Sequence, residues 1–306
     1  MIFGHFSTIT KYEIPYYNIL NYCFFYFMPW FFFKSGIFHK NISINETIKK
    51  GAKRFLVPFI CFSIIGWTLD SIIIIIEGKA SFFSLFIKPF AQIVYLGSSG
   101  GNWPLWFLLS LYFVKILASL VHYSKSKIVY AICAFITITI PFLMYYFKID
   151  KFIWIANTLN GLLFYWLGYI LKEKQFTNIY FIISVCLFVI ISIFIPSFAD
   201  IHKNTLHQGN YYIWLLYCGC GIFIINNIVK RLSLGNQFIE SIGKDSMTYY
   251  VTHWLFLSIA HILVVNILHN HNHSIYFWAT TILFITLSPL INKYLKGSKY
   301  NYIIGL

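Results

Sequence analysis

The chain has 306 residues, of which 59% are apolar and only 10% are charged, and its formal net charge is +14. Soluble globular proteins are usually about a quarter charged. This composition excludes a disordered chain, a collagen, a small disulfide scaffold and an ordinary cytosolic enzyme, and it indicates a polytopic membrane protein. The excess of positive charge also raises the question of an anionic partner such as nucleic acid.

Long apolar runs separated by short polar loops follow one another along the whole chain. A spanning helix needs about 20 mostly apolar residues. The predicted spans, in chain order, are 16–38, 54–76, 103–122, 127–147, 154–171, 178–198, 211–229, 246–268 and 274–294. Residues 1–6 read as the last turns of a further helix whose beginning is missing. The expected fold is therefore all-α: a single integral-membrane domain over residues 1–306, with nine full spans plus the end of a truncated first helix.

The basic residues are unevenly divided between the two sides of the membrane when the spans alternate. One side holds Lys40, Lys49, Lys50, Lys53, Arg54, Lys125, Lys127, Lys172, Lys174, Lys230, Arg231, Lys244, Lys293, Lys296 and Lys299, whereas the other holds Lys11, Lys79, Lys88, Lys148, Lys151 and Lys203. The positive-inside rule makes the first side, and with it the C-terminus, cytoplasmic. The net positive charge is therefore explained mostly by the cytoplasmic loops of a membrane protein. No basic run is long enough to predict a nucleic-acid partner.

Two loops carry clusters of special residues. The segment 77–102 is predicted to be the longest loop, because its Gly and Pro residues bar a long helix. The outer loop His269-Asn-His-Asn-His273 has alternate histidines, but neither a carboxylate nor a cysteine lies beside them. We predict no dedicated metal site there.

Polar side chains at membrane depth are costly and are therefore the first functional candidates. They include His5, Lys34, Ser35 and His253. Each also has a structural explanation: His5 as an interfacial histidine, Lys34 as a lysine that snorkels to the interface, and His253 as a hydrogen-bonded core histidine.

A basic group formed by Lys50, Lys53 and Arg54 stands at the cytoplasmic entrance of the span 54–76. One explanation is a topology anchor beside anionic membrane lipid. The other is a cradle for a phosphorylated donor, because ammonium and guanidinium groups suit phosphate oxygens.

Five segments in order resemble the membrane-bound acyltransferase family 3. They are Gly4-His5, Phe27-Met-Pro-Trp-Phe-Phe-Phe-Lys-Ser-Gly36, Lys53-Arg-Phe-Leu-Val-Pro58, Trp103-Pro-Leu-Trp-Phe-Leu108 and Ile242-Gly-Lys-Asp-Ser-Met-Thr-Tyr-Tyr-Val-Thr-His253. The likeness spans nearly the whole chain. Two departures stand out: the Arg that precedes the His in the family's first helix has no counterpart here, and Lys50, Lys53 and Arg54 replace an Arg-x-x-Arg pair.

The resemblance implies a ten-helix enzyme of the bacterial cytoplasmic (inner) membrane. Such an enzyme moves an acyl group, most commonly acetyl from acetyl-CoA, to a hydroxyl of a cell-surface glycan or its lipid-linked precursor. On this hypothesis Lys50, Lys53 and Arg54 bind the phosphates of the acyl-CoA. His5 is the first choice of general base, and His253 is the second choice, either as base or as the group that orients the donor. Lys34, Ser35 or Trp103 is expected to polarise the thioester. The expected substrate-binding residues are Trp103, Trp106 and Tyr249.

Two other functions remain open at this point. A transporter or flippase for a polysaccharide lipid intermediate would have similar helices and aromatic residues, although paired intramembrane charges are sparse here. An inactive truncated relative that only binds partners is the third possibility.

Overall fold

The computed structural model describes residues 25–98, 100–172, 178–231, 243 and 245–306, which are mostly helical, as predicted. The α-helices are α1 (Phe27–Ile37), α2 (Ile44–Gly51), α3 (Val57–Ile76), α4 (Lys88–Leu96), α5 (Trp106–Ser124), α6 (Lys127–Tyr146), α7 (Ile153–Leu171), α8 (Asn178–Phe194), α9 (Tyr211–Arg231), α10 (Ser246–His261) and α11 (His273–Lys296). Wider π-helical turns lie at Ala52–Leu56, Phe83–Ile87 and Ile262–Ile267, and 3-10 turns lie at Trp103–Leu105 and Asn301–Ile304.

Among the described residues, six helices are long and apolar enough to cross a membrane. They are Ile44–Ile76, Trp103–Ser124, Lys127–Tyr146, Tyr211–Arg231, Ser246–Ile267 and His273–Lys296. The first of them joins α2 to α3 through the π turn and is 33 residues long. These helices confirm a multi-pass membrane protein, while the full count of nine spans stays a prediction.

The other three predicted spans differ for separate reasons. The span 16–38 is described only from residue 25 onward. Helix α7 has 19 residues, but Asn157 and Asn160 lower its mean hydropathy. Helix α8 has 17 residues, about 26 Å at 1.5 Å per residue, which is short of a hydrocarbon core of about 30 Å.

The segment 77–102 is not the long loop that its glycines and prolines predict. The π turn Phe83–Ile87 runs directly into α4, and Pro89 lies in the first turn of that helix. Gly97 ends α4 in the left-handed conformation, with φ of 72°. The prediction was wrong because proline at a helix start and glycine at a helix end delimit a short helix.

A small antiparallel hairpin was also missed by the sequence analysis. Strand β1 (Phe198–Asp200) pairs with β2 (Thr205–Gln208), and Asp200 is opposite Thr205. The Asp200 carboxylate accepts a backbone hydrogen bond of 2.9 Å from His202, which stabilises the turn. Strands of three and four residues are too short to show a clear alternation of apolar and polar residues.

The backbone contacts divide the chain into two compact units, which we describe separately. Of the described residues, unit 1 comprises 50–98, 100–109, 243 and 245–306, and unit 2 comprises 25–49, 110–172 and 178–231. In unit 1, α10 packs against α3, α11 and the 3-10 turn Trp103–Leu105. In unit 2, α1 packs most extensively against α7, and α6, α8 and α9 complete the packing.

Candidate active site

Helix α10 carries His253 in the interior of unit 1. Nearly every residue of this helix from Thr248 to Ala260 is buried, and the His253 side chain is only 1% exposed. The hydroxyl of Thr252 donates to the carbonyl of Thr248 over 2.7 Å, so it is satisfied without solvent. His253 is thus a buried imidazole on a helix whose side chains are mostly apolar.

The position of the proton on His253 follows from its hydrogen bond. Its Nδ1 lies 2.5 Å from the carbonyl oxygen of Tyr250. A carbonyl oxygen only accepts hydrogen bonds, so Nδ1 must carry the hydrogen. In the neutral imidazole Nε2 is then the basic nitrogen, which is the arrangement that a general base requires.

The Trp103-Pro-Leu-Trp motif is clamped to α10 by two polar contacts within unit 1. The hydroxyl of Tyr250 donates to the carbonyl of Pro104, and the side-chain amide of Asn102 donates to the carbonyl of Val251 over 3.0 Å. Asn102 is fully buried, and its Oδ1 has no hydrogen-bond partner within the described part of the chain. Asn102 and Tyr250 are the residues of this site that sequence reasoning missed.

A close contact between Gly101 and the backbone of α3 also holds the Trp103-Pro-Leu-Trp motif in place. A Cβ at Gly101 would lie 2.9 Å from the backbone nitrogen of Trp67, closer than real Cβ atoms come to another atom. Only glycine therefore fits here, and α3 contacts the loop directly before Trp103. Gly101, which the sequence analysis counted as a loop signal, is therefore required for packing.

The predicted substrate-binding aromatic residues all lie in unit 1. Trp103 packs against the buried cluster formed by Trp254, Leu257 and Tyr276, among others. Trp106 is 5% exposed. The Tyr249 ring lies 5.9 Å from that of Phe284 and is half-buried between α10 and α11. Their role in substrate binding stays a prediction.

A polar chain ties the start of α10 to the end of α11. Thr248 donates to Asn292 over 2.8 Å, and Asn292 donates to the Asp245 carboxylate over 2.6 Å. Lys296 forms an ion pair with the other oxygen of Asp245. The aspartate of the motif that ends in His253 therefore stabilises the packing of α10 on α11.

The basic group Lys50, Lys53 and Arg54 also lies in unit 1, at the start of the long helix Ile44–Ile76. All three side chains are exposed. Lys53 and Arg54 belong to the π turn Ala52–Leu56, a local widening of the helix that is frequent at functional sites. The backbone of Arg54 is contacted by Gly305 near the C-terminus, so this turn is held from one side.

Lys34 and Ser35 lie on α1, in unit 2. The Lys34 ammonium donates to Oδ1 of Asn226 on α9 over 2.7 Å and lies 5.6 Å from the centre of the Trp30 ring. Ser35 is half-buried on the same helix. Lys34 thus has a hydrogen-bond partner within the protein. This partner is present whether or not the side chain also extends towards the membrane interface. His5, the first-choice base, lies outside the described residues.

A histidine–tyrosine cluster in unit 2 has no counterpart in the sequence analysis. Nδ1 of His39 lies 2.7 Å from the Tyr165 hydroxyl, and Nδ1 of His122 lies 3.2 Å from that of Tyr130 and 3.3 Å from that of Tyr169. Burial lowers the pKa of His39 to about 4, with smaller contributions from the positive charges of Lys115 and Lys172 and from His122. His39 is therefore neutral at physiological pH.

Comparison with known proteins assigns the chain to a family. A family model described as an acyltransferase domain matches residues 1–293, nearly the whole chain. No curated protein and no solved structure matches it. The match agrees with the five resembling segments. The chain therefore belongs to acyltransferase family 3, and its apolar helices make it a multi-pass membrane acyltransferase.

Proposed function

We propose that the protein moves an acyl group, most simply acetyl, from acyl-CoA to a hydroxyl of a cell-surface glycan or its lipid-linked precursor. The membrane is proposed to be the bacterial cytoplasmic membrane, with the C-terminus in the cytoplasm. The observation that carries the proposal is the hydrogen bond from Nδ1 of His253 to the carbonyl of Tyr250, because it leaves Nε2 as the base in a buried position.

The proposed reaction is direct transfer. Nε2 of His253 takes the proton of the acceptor hydroxyl while the hydroxyl oxygen bonds to the thioester carbonyl carbon. The carbonyl oxygen becomes an oxyanion, which polar hydrogen-bond donors stabilise. The carbon–sulfur bond then breaks, the carbonyl re-forms, and the thiolate of CoA leaves with the proton that His253 had accepted. The acceptor keeps the acyl group as an ester.

The donor's phosphates are proposed to stay at Lys50, Lys53 and Arg54, outside the hydrocarbon core. These residues precede α3, which packs against α10 in unit 1, so the basic group and His253 belong to one packed body. Exposed ammonium and guanidinium groups form charge-assisted hydrogen bonds with phosphate oxygens. Only the thin pantetheine arm and the acyl group would have to enter the protein.

A transfer assay in membranes tests the proposal. Membranes that contain the protein would be incubated with radiolabelled acetyl-CoA and with glycan from the same cells, and the label in the glycan would be counted. We expect His253→Ala and His253→Gln to reduce the label at least about a hundredfold, the usual minimum contribution of a general base. The matched control is His261→Gln on the same helix.

Three outcomes would contradict the proposal. Wild-type membranes that transfer no label to any surface glycan would refute the acyl transfer. Movement of a glycan lipid across the membrane without acyl transfer would favour the flippase. Full transfer by both His253 variants, at wild-type protein level, would refute the assignment of the base. Nuclear magnetic resonance of the surface polysaccharide, with and without the gene, would identify the acyl group and the acylated hydroxyl.

A further inference from the structure

The contact between α1 and α9 in unit 2 contains buried N–H donors that lack acceptors. Lys34 donates to Oδ1 of Asn226 over 2.7 Å. A lysine ammonium can only donate, so the amide atom that faces Lys34 must be the oxygen. The NH2 group of Asn226, Nδ2, therefore points away from Lys34. Asn226 is 1% exposed, and its Nδ2 has no acceptor within the described part of the chain.

A second such donor lies beside the same ammonium. Trp30 is one helical turn before Lys34, and the centre of its indole ring lies 5.6 Å from the Lys34 nitrogen. Its Nε1 is buried and has no acceptor among the residues that the structure covers. Buried polar groups in proteins are nearly always paired, so two orphaned donors around one lysine need an explanation.

Lys34 brings a positive charge to both donors. Neither α1 nor α9 contains an Asp or a Glu. Lysines at helix C-termini are accounted for by the helix dipole alone. The helix dipole does not account for the N–H groups of Trp30 and Asn226 that lack acceptors among the described residues. These donors, beside the Lys34 ammonium, require a ligand that accepts hydrogen bonds and carries negative charge.

The depth of the site identifies the class of ligand. Lys34 is three residues from the end of α1, and Lys230 is one residue from the end of α9. At about 1.5 Å per residue, both lie within a turn of the helix ends, which the charge distribution predicts to be cytoplasmic. Lipid phosphates occupy this level, and basic pockets between helices on the cytoplasmic side bind anionic lipid headgroups.

We propose that Lys34, Nδ2 of Asn226 and Nε1 of Trp30 bind the phosphate of a membrane lipid. Two sources share this chemistry: an anionic phospholipid of the bilayer, and a polyprenyl-phosphate carrier of the glycan acceptor. The site itself does not depend on the transfer reaction, because it is detected by binding alone.

Lipid binding to the purified full chain tests this site. The protein would be delipidated in detergent and titrated with phosphatidylglycerol, with polyprenyl phosphate or with inorganic phosphate, and bound lipid would be counted by native mass spectrometry. Trp30→Phe removes the indole N–H and keeps an aromatic ring, and Lys34→Met removes the charge. Trp214→Phe is the matched control, because Trp214 is another buried indole of unit 2 whose Nε1 lacks an acceptor among the described residues.

We expect tight binding of one lipid phosphate, weakened at least about tenfold by Lys34→Met and by Trp30→Phe and unchanged by Trp214→Phe, with Lys34→Arg retaining binding. Preference for phosphatidylglycerol would identify the bilayer as the source, and preference for polyprenyl phosphate would identify the acceptor. Binding of inorganic phosphate alone, or equal lipid binding by all variants, would overturn the proposal. Because the readout is binding, a failure of acyl transfer would leave this result unaffected.

Discussion

The backbone of α7 at Tyr165 lies directly against Gly36 of α1. A Cβ at Gly36 would lie 2.8 Å from the carbonyl carbon of Tyr165 and would overlap its carbonyl oxygen. One turn further along α7, a Cβ at Gly168 would lie 2.8 Å from the carbonyl carbon of Phe33. The glycine of the Phe-Phe-Phe-Lys-Ser-Gly segment therefore permits a close approach of α1 and α7, as small residues do in membrane proteins.

We expect Gly36→Ala to destabilise the protein, because the added methyl group meets backbone that cannot rotate away. Overpacking of this kind costs about 1–3 kcal/mol. The measurement is thermal unfolding of the purified protein in detergent. Gly219→Ala on α9 is the control, since a Cβ there meets nothing within 4 Å. Equal unfolding temperatures for Gly36→Ala and the wild type would contradict the role of this contact.

We expect Tyr250→Phe to loosen the Trp103-Pro-Leu-Trp motif from α10. The substitution removes the hydroxyl that donates to the Pro104 carbonyl, while the backbone N–H of Trp106 still donates to that carbonyl. The expected loss is therefore that of one hydrogen bond, about 0.5–1.5 kcal/mol. Unfolding temperature and acyl transfer should both fall. Tyr294→Phe, which alters a 68% exposed tyrosine on α11, should change neither. A fully stable and active Tyr250→Phe protein would show that the clamp is dispensable.

We expect the stability of the protein to decrease as the pH falls from 6.5 towards 4. The pKa of His39 is about 4 in the folded protein and ordinarily about 6.5, so between these values the unfolded chain binds more protons. Above pH 6.5 His39 is neutral in both states, and its contribution to the free energy of unfolding is fully present. As the pH falls below 6.5 the unfolded chain takes up a proton first, and this contribution is lost. His202 in the hairpin has a similarly lowered pKa and adds to the slope.

The test of this pH dependence is the unfolding temperature at several pH values. His39→Gln should reduce the slope between pH 4 and 6.5, although His202 keeps part of it. The exposed histidine of the second strand provides the control variant, His207→Gln, which should leave the slope unchanged. An identical slope in His39→Gln and the wild type would refute the assignment to His39.

We expect replacement of Lys50, Lys53 and Arg54 by Gln to weaken acyl-CoA binding at least about tenfold, equivalent to about 1.4 kcal/mol. The measurement is equilibrium binding of labelled acyl-CoA, with a topology reporter at the C-terminus because these residues also orient the chain. The control is the pair Lys125→Gln and Lys127→Gln, which removes exposed charge from another predicted cytoplasmic loop. Unchanged binding in the triple variant would refute the phosphate cradle.

The apolar runs predicted several helices closely, since 127–147 and 211–229 correspond to α6 and α9 within a few residues. The motifs also identified the segments that meet in unit 1, because Trp103 and His253 belong to packed elements. The contacts that join them were not predictable. Tyr250 and Pro104 are 146 positions apart, and no local pattern indicates that a tyrosine hydroxyl will reach a distant carbonyl.

By itself the sequence determined the class of protein, most of its long helices, its predicted orientation and its family, because these depend on hydropathy, charge and short motifs along the chain. The tertiary structure alone decided which nitrogen of His253 is basic, which partner Lys34 has, and that His39 lies beside Tyr165. Those properties depend on where buried donors and acceptors meet. Such positions are set by the packing of helices that are far apart in the chain.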